Sequence, residues 1–369
     1  MTPVPRAGAG LHDPGLRSLA RLERPGYVLS MAAAPAADDL RLFLLPEQGE
    51  PGAGRRDAPR TGRGRPPRRP GPNLLAVDGN GLAHRAFHAV GGAEAPPGAA
   101  LERVVAMLAR IAGTVRPTAC VVGFDDPVRS VRRQRAPQYK AARPPKEDAL
   151  VELLDELPGL LGLLGLCVAV PDGLEADDVL GSAAQLATRR TVPAALATGD
   201  QDAFALVSPT VQVFFLLGGG RMEQVSPSWL RARYGVGPAQ YPAFAALRGD
   251  SSDCLPGVRG IGAVTAARLL AAYPDVEAAM ADPAGVARLL GPWVVEALVT
   301  HQGTYLLNRE LMAIRTDVPL DVDACNRPLQ ARTVVTVLRE RGIEDVAERF
   351  VAGFALLGRA AWRASAPPA

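Results

Sequence analysis

Short apolar runs alternate with longer Ala- and Leu-rich segments from residue 73 onward. The runs are NLLAVD (73–78), ACVVGFD (119–125), LCVAV (166–170), PAALATGD (193–200) and VQVFF (211–215). Such runs predict buried strands, and the segments between them have the apolar spacing of helices. Because strands and helices alternate, the pattern predicts an α/β core with a parallel sheet.

The pattern changes after residue 225 and is helical to about residue 358, with a glycine-rich turn at GVRGIG (257–262). We therefore predict an α/β core over 73–225, an all-α subdomain over 226–358 and a tail over 359–369. Residues 1–72 are rich in Pro, Gly, Ala and Arg and end in RTGRGRPPRRPGP. This composition buries too little apolar surface to order itself, so we predict a disordered extension.

Composition excludes several classes of protein. No apolar run approaches the ~20 residues needed to span a bilayer. The four cysteines lie far apart without CxxC spacing, so neither a zinc site nor a disulfide framework is predicted. The basic N-terminus is not followed by an apolar segment with a cleavage site, so the sequence does not predict a secretory signal. We predict a cytoplasmic protein that makes no membrane contact.

Acidic residues gather where the predicted strands end. Asp78, Asp125 and Asp200 each close an apolar run, and parallel strands bring their carboxyl ends to one edge of the sheet. Further acids occur in LEADDVLG, TGDQD and GDSSD. The predicted metal-binding set is Asp78, Asp125, Glu175, Asp177, Asp178, Asp200, Asp202, Asp250 and Asp253.

Any one of these acids alone is as easily a turn residue or a helix cap. Gathered in one small volume, they would repel one another unless they bound protons or cations. Oxygen donors without His or Cys indicate Mg²⁺ or Mn²⁺. Two ions ~3.5–4 Å apart would activate a water and stabilise an in-line phosphoryl displacement. The acids therefore predict phosphodiester hydrolysis, with Asp125 and Asp200 among the catalytic residues.

A basic stretch and a glycine turn accompany the acids. The stretch from Arg129 to Lys146 begins just after Asp125. It would therefore lie over the metals and bind a phosphate backbone or a threaded single strand. Lys140 and Arg132 could neutralise the scissile phosphate. The turn PGVRGIG (256–262) opens a helix, where glycines admit a phosphate to backbone N–H groups without reading sequence. The predicted DNA-binding residues are Arg132, Arg133, Lys140, Arg143, Gly257, Gly260 and Gly262.

Six segments, in order, resemble the 5′–3′ exonuclease domain of bacterial DNA polymerase I and its flap-endonuclease relatives. They are LLAVDGNGLAHRAFHA, FDDPVRSVRRQRAPQYKAARPP, GLEADDVLG, ATGDQDAFALVS, GDSSDCLPGVRGIGAVTAARLL and YLLNRELMAIRTDVPL. The resemblance implies a PIN-like core, a helical arch and a helix-three-turn-helix subdomain. It also implies that all nine acids bind metal, that Arg132, Lys140 and Arg143 are arch residues, and that potassium binds at the glycine turn.

The expected protein is a monomeric, free-standing 5′–3′ exonuclease and 5′-flap endonuclease with two Mg²⁺ or Mn²⁺ ions. Its expected substrates are double-stranded, nicked, gapped or flapped DNA and RNA primer–DNA hybrids, in primer removal and repair. One alternative is a PIN-type ribonuclease that uses a smaller acidic set. Another is a non-catalytic, structure-specific DNA-binding module.

Overall fold

The computed structural model describes residues 73–360. The predicted extension over 1–72, and residues 361–369 of the predicted tail, lie outside the described part. Six strands form one sheet in the order β3-β2-β1-β4-β5-β6. They are β1 (Leu74–Asp78), β2 (Ala119–Gly123), β3 (Cys167–Ala169), β4 (Ala194–Thr198), β5 (Val211–Leu216) and β6 (Met222–Val225).

The five predicted strands, β1 to β5, are confirmed, and they run parallel to one another. β6 was not predicted; it pairs antiparallel with β5 at the edge of the sheet. The helices among these strands are α1 (Gly79–Ala89), α2 (Ala99–Val115), α3 (Val131–Arg135), α4 (Asp148–Leu163) and α5 (Ala176–Arg190). The predicted arch segment between β2 and α4 therefore contains one five-residue helix.

The chain after β6 is largely helical, as predicted. Its helices are α6 (Pro227–Tyr234), α7 (Tyr241–Arg248), α8 (Ala263–Ala272), α9 (Val276–Ala281), α10 (Pro283–Leu290), α11 (Pro292–Thr300), α12 (Gln302–Leu311), α13 (Val322–Cys325), α14 (Ala331–Glu340) and α15 (Ala347–Gly353). A short antiparallel pair, β7 (Gly249–Asp250) and β8 (Leu255–Pro256), interrupts them. None of the helices in residues 73–360 is long and apolar enough to cross a membrane.

The two faces of the sheet carry separate apolar cores. One core joins α5 to α7 and to the helices from α8 to α13. The other core joins α1, α2, α4, α14 and α15. The last two helices therefore return to the opposite face of the sheet, although the sequence grouped them with the helical subdomain. A Cβ on Gly353 of α15 would lie 2.6 Å from the carbonyl oxygen of Ala109 in α2. Glycine therefore permits this close helix contact.

Candidate active site

The carboxyl end of β1 holds the first acid of the site. Asp78 is the last residue of β1 and also caps α1, since its Oδ1 accepts a 2.7 Å hydrogen bond from the Gly81 amide. Its Oδ2 accepts a 3.1 Å bond from the Thr198 hydroxyl at the end of β4. Burial, together with nearby Asp125 and Asp200, raises the pKa of Asp78 to about 6, because the charged form loses hydration and meets like charges.

Asp125 follows β2 and is held by two neighbouring elements. Its N–H donates to the Asn80 side chain at 3.0 Å. Its Oδ1 accepts a 2.9 Å bond from the amide of Ala176, the first residue of α5. Burial raises the pKa of Asp125, and Glu175 raises it further, whereas Lys140 lowers it. The second strand end therefore holds another acid that is costly to ionise without a cation.

Asp177, in the first turn of α5, has an unsatisfied oxygen. Its Oδ1 is buried and accepts no hydrogen bond from any described residue. Burial raises the pKa of Asp177 well above its ordinary value, and Asp200 and Asp78 raise it further. A buried oxygen without a donor costs about 1–3 kcal/mol, and more when charged. This atom is therefore suited to a proton or a cation.

Four more acids come from the loop after β4 and from the β7–β8 pair. The amide of Asp202 donates to Oδ1 of Asp200 at 2.8 Å. Oδ1 of Asp250 accepts from the amide of Ser252 at 2.7 Å and from its hydroxyl at 2.6 Å. Burial raises the pKa values of Asp200 and Asp202, and Asp250 and Asp253 raise both further.

The acids thus form two overlapping electrostatic groups. The first contains Asp78, Asp125 and Asp177, the second contains Asp202, Asp250 and Asp253, and Asp200 interacts with both. Among residues 73–360, no three His, Cys, Asp or Glu side chains form a ready-made metal-binding group. The candidate donors are nevertheless all carboxylate oxygens, and Oδ1 of Asp177 is buried without a hydrogen bond from a described residue. Such donors fit hard divalent cations such as Mg²⁺ or Mn²⁺.

Lys140 lies against the acids. Its Nζ donates to Oε2 of Glu175 at 3.0 Å, and the Tyr139 hydroxyl donates to the same oxygen at 3.1 Å. Burial lowers the pKa of Lys140, but Glu175 and Asp253 outweigh it and leave the pKa above the ordinary value. Lys140 is therefore a cation at neutral pH, and it is held beside the site rather than in solvent.

Backbone and side-chain hydrogen bonds attach the basic stretch to the β7–β8 turn. The amide of Lys140 donates to the carbonyl of Asp253 at 2.9 Å. Arg143 donates to the Asp253 carboxylate and, at 3.2 Å, to the carbonyl of Ser252. The amide of Ala142 lies 3.2 Å from Sγ of Cys254. The predicted arch residues Lys140 and Arg143 thus meet the second acidic group.

Arg132 and Asp178 form an ion pair with each other. The Arg132 guanidinium donates two 2.8 Å bonds to the Asp178 carboxylate and 2.9 Å bonds to the carbonyls of Leu311 and Ala313. The Arg132 side chain is 12% exposed and that of Asp178 is fully buried. The Asp178 carboxylate also accepts from backbone amides. The two charges therefore form a buried ion pair, and Nη1 of Arg132 also lies 3.4 Å from Oε2 of Glu175, the oxygen that Lys140 contacts. Arg133, also on α3, is exposed to solvent.

The three predicted glycines occupy different environments. A Cβ on Gly257 would lie 2.2 Å from the carbonyl oxygen of Arg248, so only glycine fits there. Gly260 has a φ of +87°, a conformation that favours glycine. Gly262 precedes α8, and no described atom lies within 4 Å of a Cβ built on it. Gly260 and Gly262 are exposed, whereas Gly257 is half-buried.

Four residues that the sequence did not single out also shape the site. Tyr139 and Thr198 donate to Glu175 and Asp78, and Asn80 holds the Asp125 backbone. Arg85 lies against the end of β4, because a Cβ on Gly199 would be 2.2 Å from its Nη2. Their only signal in the sequence is adjacency to the acidic or basic motifs.

The fold and site together define a class: an α/β protein with carboxylates at the strand ends and a helical subdomain beside them. A family model described as 5′-3′ exonuclease, N-terminal resolvase-like domain, matches residues 73–235. A second, described as 5′-3′ exonuclease, C-terminal SAM fold, matches residues 236–333. The chain belongs to the 5′–3′ exonuclease family, as its sequence motifs predicted.

Relatives and solved structures agree with this membership. The chain is 36% identical over 258 residues to DNA polymerase I of Mycobacterium bovis, covering 68% of this chain and 28% of the polymerase. It thus spans under a third of that relative. The fold is similar to the T5 5′-exonuclease solved with divalent zinc (TM-score 0.55, 21% identity, 78% and 99% of the two chains). It is also similar to the bacteriophage T5 flap endonuclease solved with DNA and metal ions (TM-score 0.52, 22% identity, 75% and 99%).

Proposed function

We propose that this chain is a divalent-metal-dependent nuclease that hydrolyses phosphodiester bonds from the 5′ side of nicked or flapped duplex DNA. The observation that carries the proposal is the group of buried carboxylates with raised pKa values facing Lys140 and Arg143. Such a site suits cations and a phosphate between them. Family membership and the metal and DNA in the T5 structures support the same reaction.

We infer that one Mg²⁺ or Mn²⁺ ion binds among the first acidic group and a second among the other, with Asp200 between them. A bound pair would supply an activated water and charge stabilisation for both the attacking and leaving oxygens. Lys140, kept cationic by Glu175, would donate to the scissile phosphate. Arg143 would hold the strand, while Glu175 would hold Lys140 and Asp178 would hold Arg132 in place.

The glycine turn completes the proposal as the contact for duplex DNA. Gly262, at the N-terminus of the ten-residue helix α8, would bring backbone N–H groups to a phosphate, with potassium as the counter-ion. Because backbone contacts do not read bases, the enzyme would recognise the junction and not its sequence. We propose that it acts as a cytoplasmic monomer in primer removal and repair.

The test is cleavage of a 5′-labelled flap on nicked duplex DNA, with Mg²⁺ or EDTA, by wild type and Asp200→Asn. A matched control is Asp155→Asn, which changes an exposed aspartate on α4. We expect short 5′ products that need both Mg²⁺ and Asp200, with the control fully active.

Two results would contradict the proposal and favour an alternative function. Faster cleavage of a matched RNA flap would favour the ribonuclease. Tight flap binding without Mg²⁺-dependent cleavage would favour a non-catalytic DNA-binding module.

A further inference from the structure

A pocket of about 530 Å³ lies between α2, the β5–β6 hairpin and α15. It contains no residue of the acidic groups, the basic stretch or the glycine turn. One wall, from α15, lies beyond residue 333, where the match to the family ends. The pocket is thus separate from the site described above.

Four cationic side chains line the pocket, and no acidic residue does. They are Arg103, Arg110, Arg221 and Arg349. Nε of Arg103 is buried without an acceptor among the described residues, whereas Arg110 donates to the carbonyl of Gly220. A buried donor without a partner is unfavourable. An incoming carboxylate would provide both the missing acceptor and the missing negative charge.

The rest of the lining is largely apolar and includes Ala106, Leu216, Met222 and Ala352. This apolar part of the lining, unlike the four arginines, offers no hydrogen bonds to sugars or phosphates, which dominate protein contacts with DNA. It instead suits one large apolar side chain. Arginines around an apolar depression match the usual chemistry of anchor sites at protein interfaces.

We propose that this pocket docks an acidic segment of a partner protein that carries one large apolar side chain. The apolar side chain fills the depression, and flanking carboxylates pair with Arg103 and Arg349 in bidentate geometry. Such a contact would bring the nuclease to a partner without covering its acidic site. The pocket thus acts in recruitment and not in catalysis.

The probe is a fluorescein-labelled peptide, acetyl-DDSFDD, titrated with the full chain in a fluorescence anisotropy assay. We expect saturable binding that weakens at least about tenfold in the double variant Arg103→Ala/Arg349→Ala, as for an anchor site. The matched control is Arg332→Ala/Arg339→Ala, which removes two exposed arginines of α14 outside the pocket. It should bind the peptide like wild type, and both double variants should keep wild-type flap cleavage.

Three results would overturn the proposal. They are no binding of the peptide at about 1 mM, equal loss in both double variants, or undiminished binding of acetyl-DDSSDD. Weaker binding of a labelled single-stranded oligonucleotide by the pocket variant alone would identify a nucleic acid as the occupant and also refute it. Because flap cleavage is measured separately, failure here is distinguishable from failure of the proposed function.

Discussion

Replacing Arg132 with Ala should destabilise the protein rather than remove a catalytic group. Its guanidinium makes two 2.8 Å bonds to Asp178, whose side chain is fully buried. It also donates to the carbonyls of Leu311, the last residue of α12, and of Ala313. Removing one partner of a buried ion pair leaves the other charge uncompensated, which typically costs about 3–5 kcal/mol. We expect a loss of that size in the free energy of unfolding at neutral pH.

A second arginine of α3 provides the control. Arg135 pairs with Glu310, but their side chains are 56% and 49% exposed. Exposed pairs contribute about 0–1 kcal/mol, so Arg135→Ala should scarcely change stability. In a double-mutant cycle, Arg132→Ala should also cost much less when Asp178 is already Ala, because the charge that it leaves unpaired is gone.

The assay combines urea unfolding, followed by circular dichroism, with single-turnover flap cleavage at a temperature where both variants are folded. We expect a lower urea midpoint for Arg132→Ala with an unchanged denaturant slope, and cleavage within about tenfold of wild type. Unchanged stability with a cleavage rate reduced by about 10²-fold or more would refute the structural role. It would restore the catalytic role that the sequence suggested.

The other predictions concern the acids, Lys140 and the glycine turn. Lys140→Met should slow single-turnover flap cleavage by about 10²-fold, because it removes a cation at the scissile phosphate. Gly262→Ala should weaken duplex binding in anisotropy without lowering the unfolding midpoint, since its Cβ meets no described atom. Gly260→Ala should also cost about 1–2 kcal/mol in stability because of its φ of +87°. Asp177→Asn should be more stable than wild type in EDTA and gain less from Mg²⁺ in calorimetry, because it removes a buried repulsive charge.

Three results would count against these predictions. Lys140→Met with weaker DNA binding but normal single-turnover cleavage would make Lys140 a binding residue only. Gly262→Ala with normal duplex affinity would argue against the glycine turn as the DNA contact. Equal Mg²⁺ stabilisation of wild type and Asp177→Asn would argue against Asp177 as a metal ligand.

The five parallel strands and the edge of the sheet that carries the acids could be predicted because period and composition are local properties. Five apolar runs matched β1 to β5, and the acids at their ends followed from parallel strand geometry. β6 was missed because MEQV is short and has only two apolar residues. Its strand conformation depends on pairing with β5, which a local pattern does not contain.

The return of α14 and α15 to the opposite face could not be predicted either. Their amphipathic patterns show that one side of each helix is buried, but not which apolar surface covers it. In the folded protein, the close approach of Gly353 to α2 and the apolar surface of α2 determine where α15 packs. An amphipathic pattern therefore predicts a helix without fixing the partner on which it packs.

The motif LEADDVLG places three neighbouring acids in three different environments. At the start of α5 each residue turns the side chain by roughly 100°, so Asp177 and Asp178 point in different directions. Asp178 contacts Arg132, Glu175 contacts Lys140 and Tyr139, and Asp177 has a buried oxygen that accepts no hydrogen bond from a described residue. Neighbouring acids in one motif therefore have different contacts and different roles. Glu175 and Asp178 hold the basic side chains in place, and the buried oxygen of Asp177 is suited to a proton or a cation.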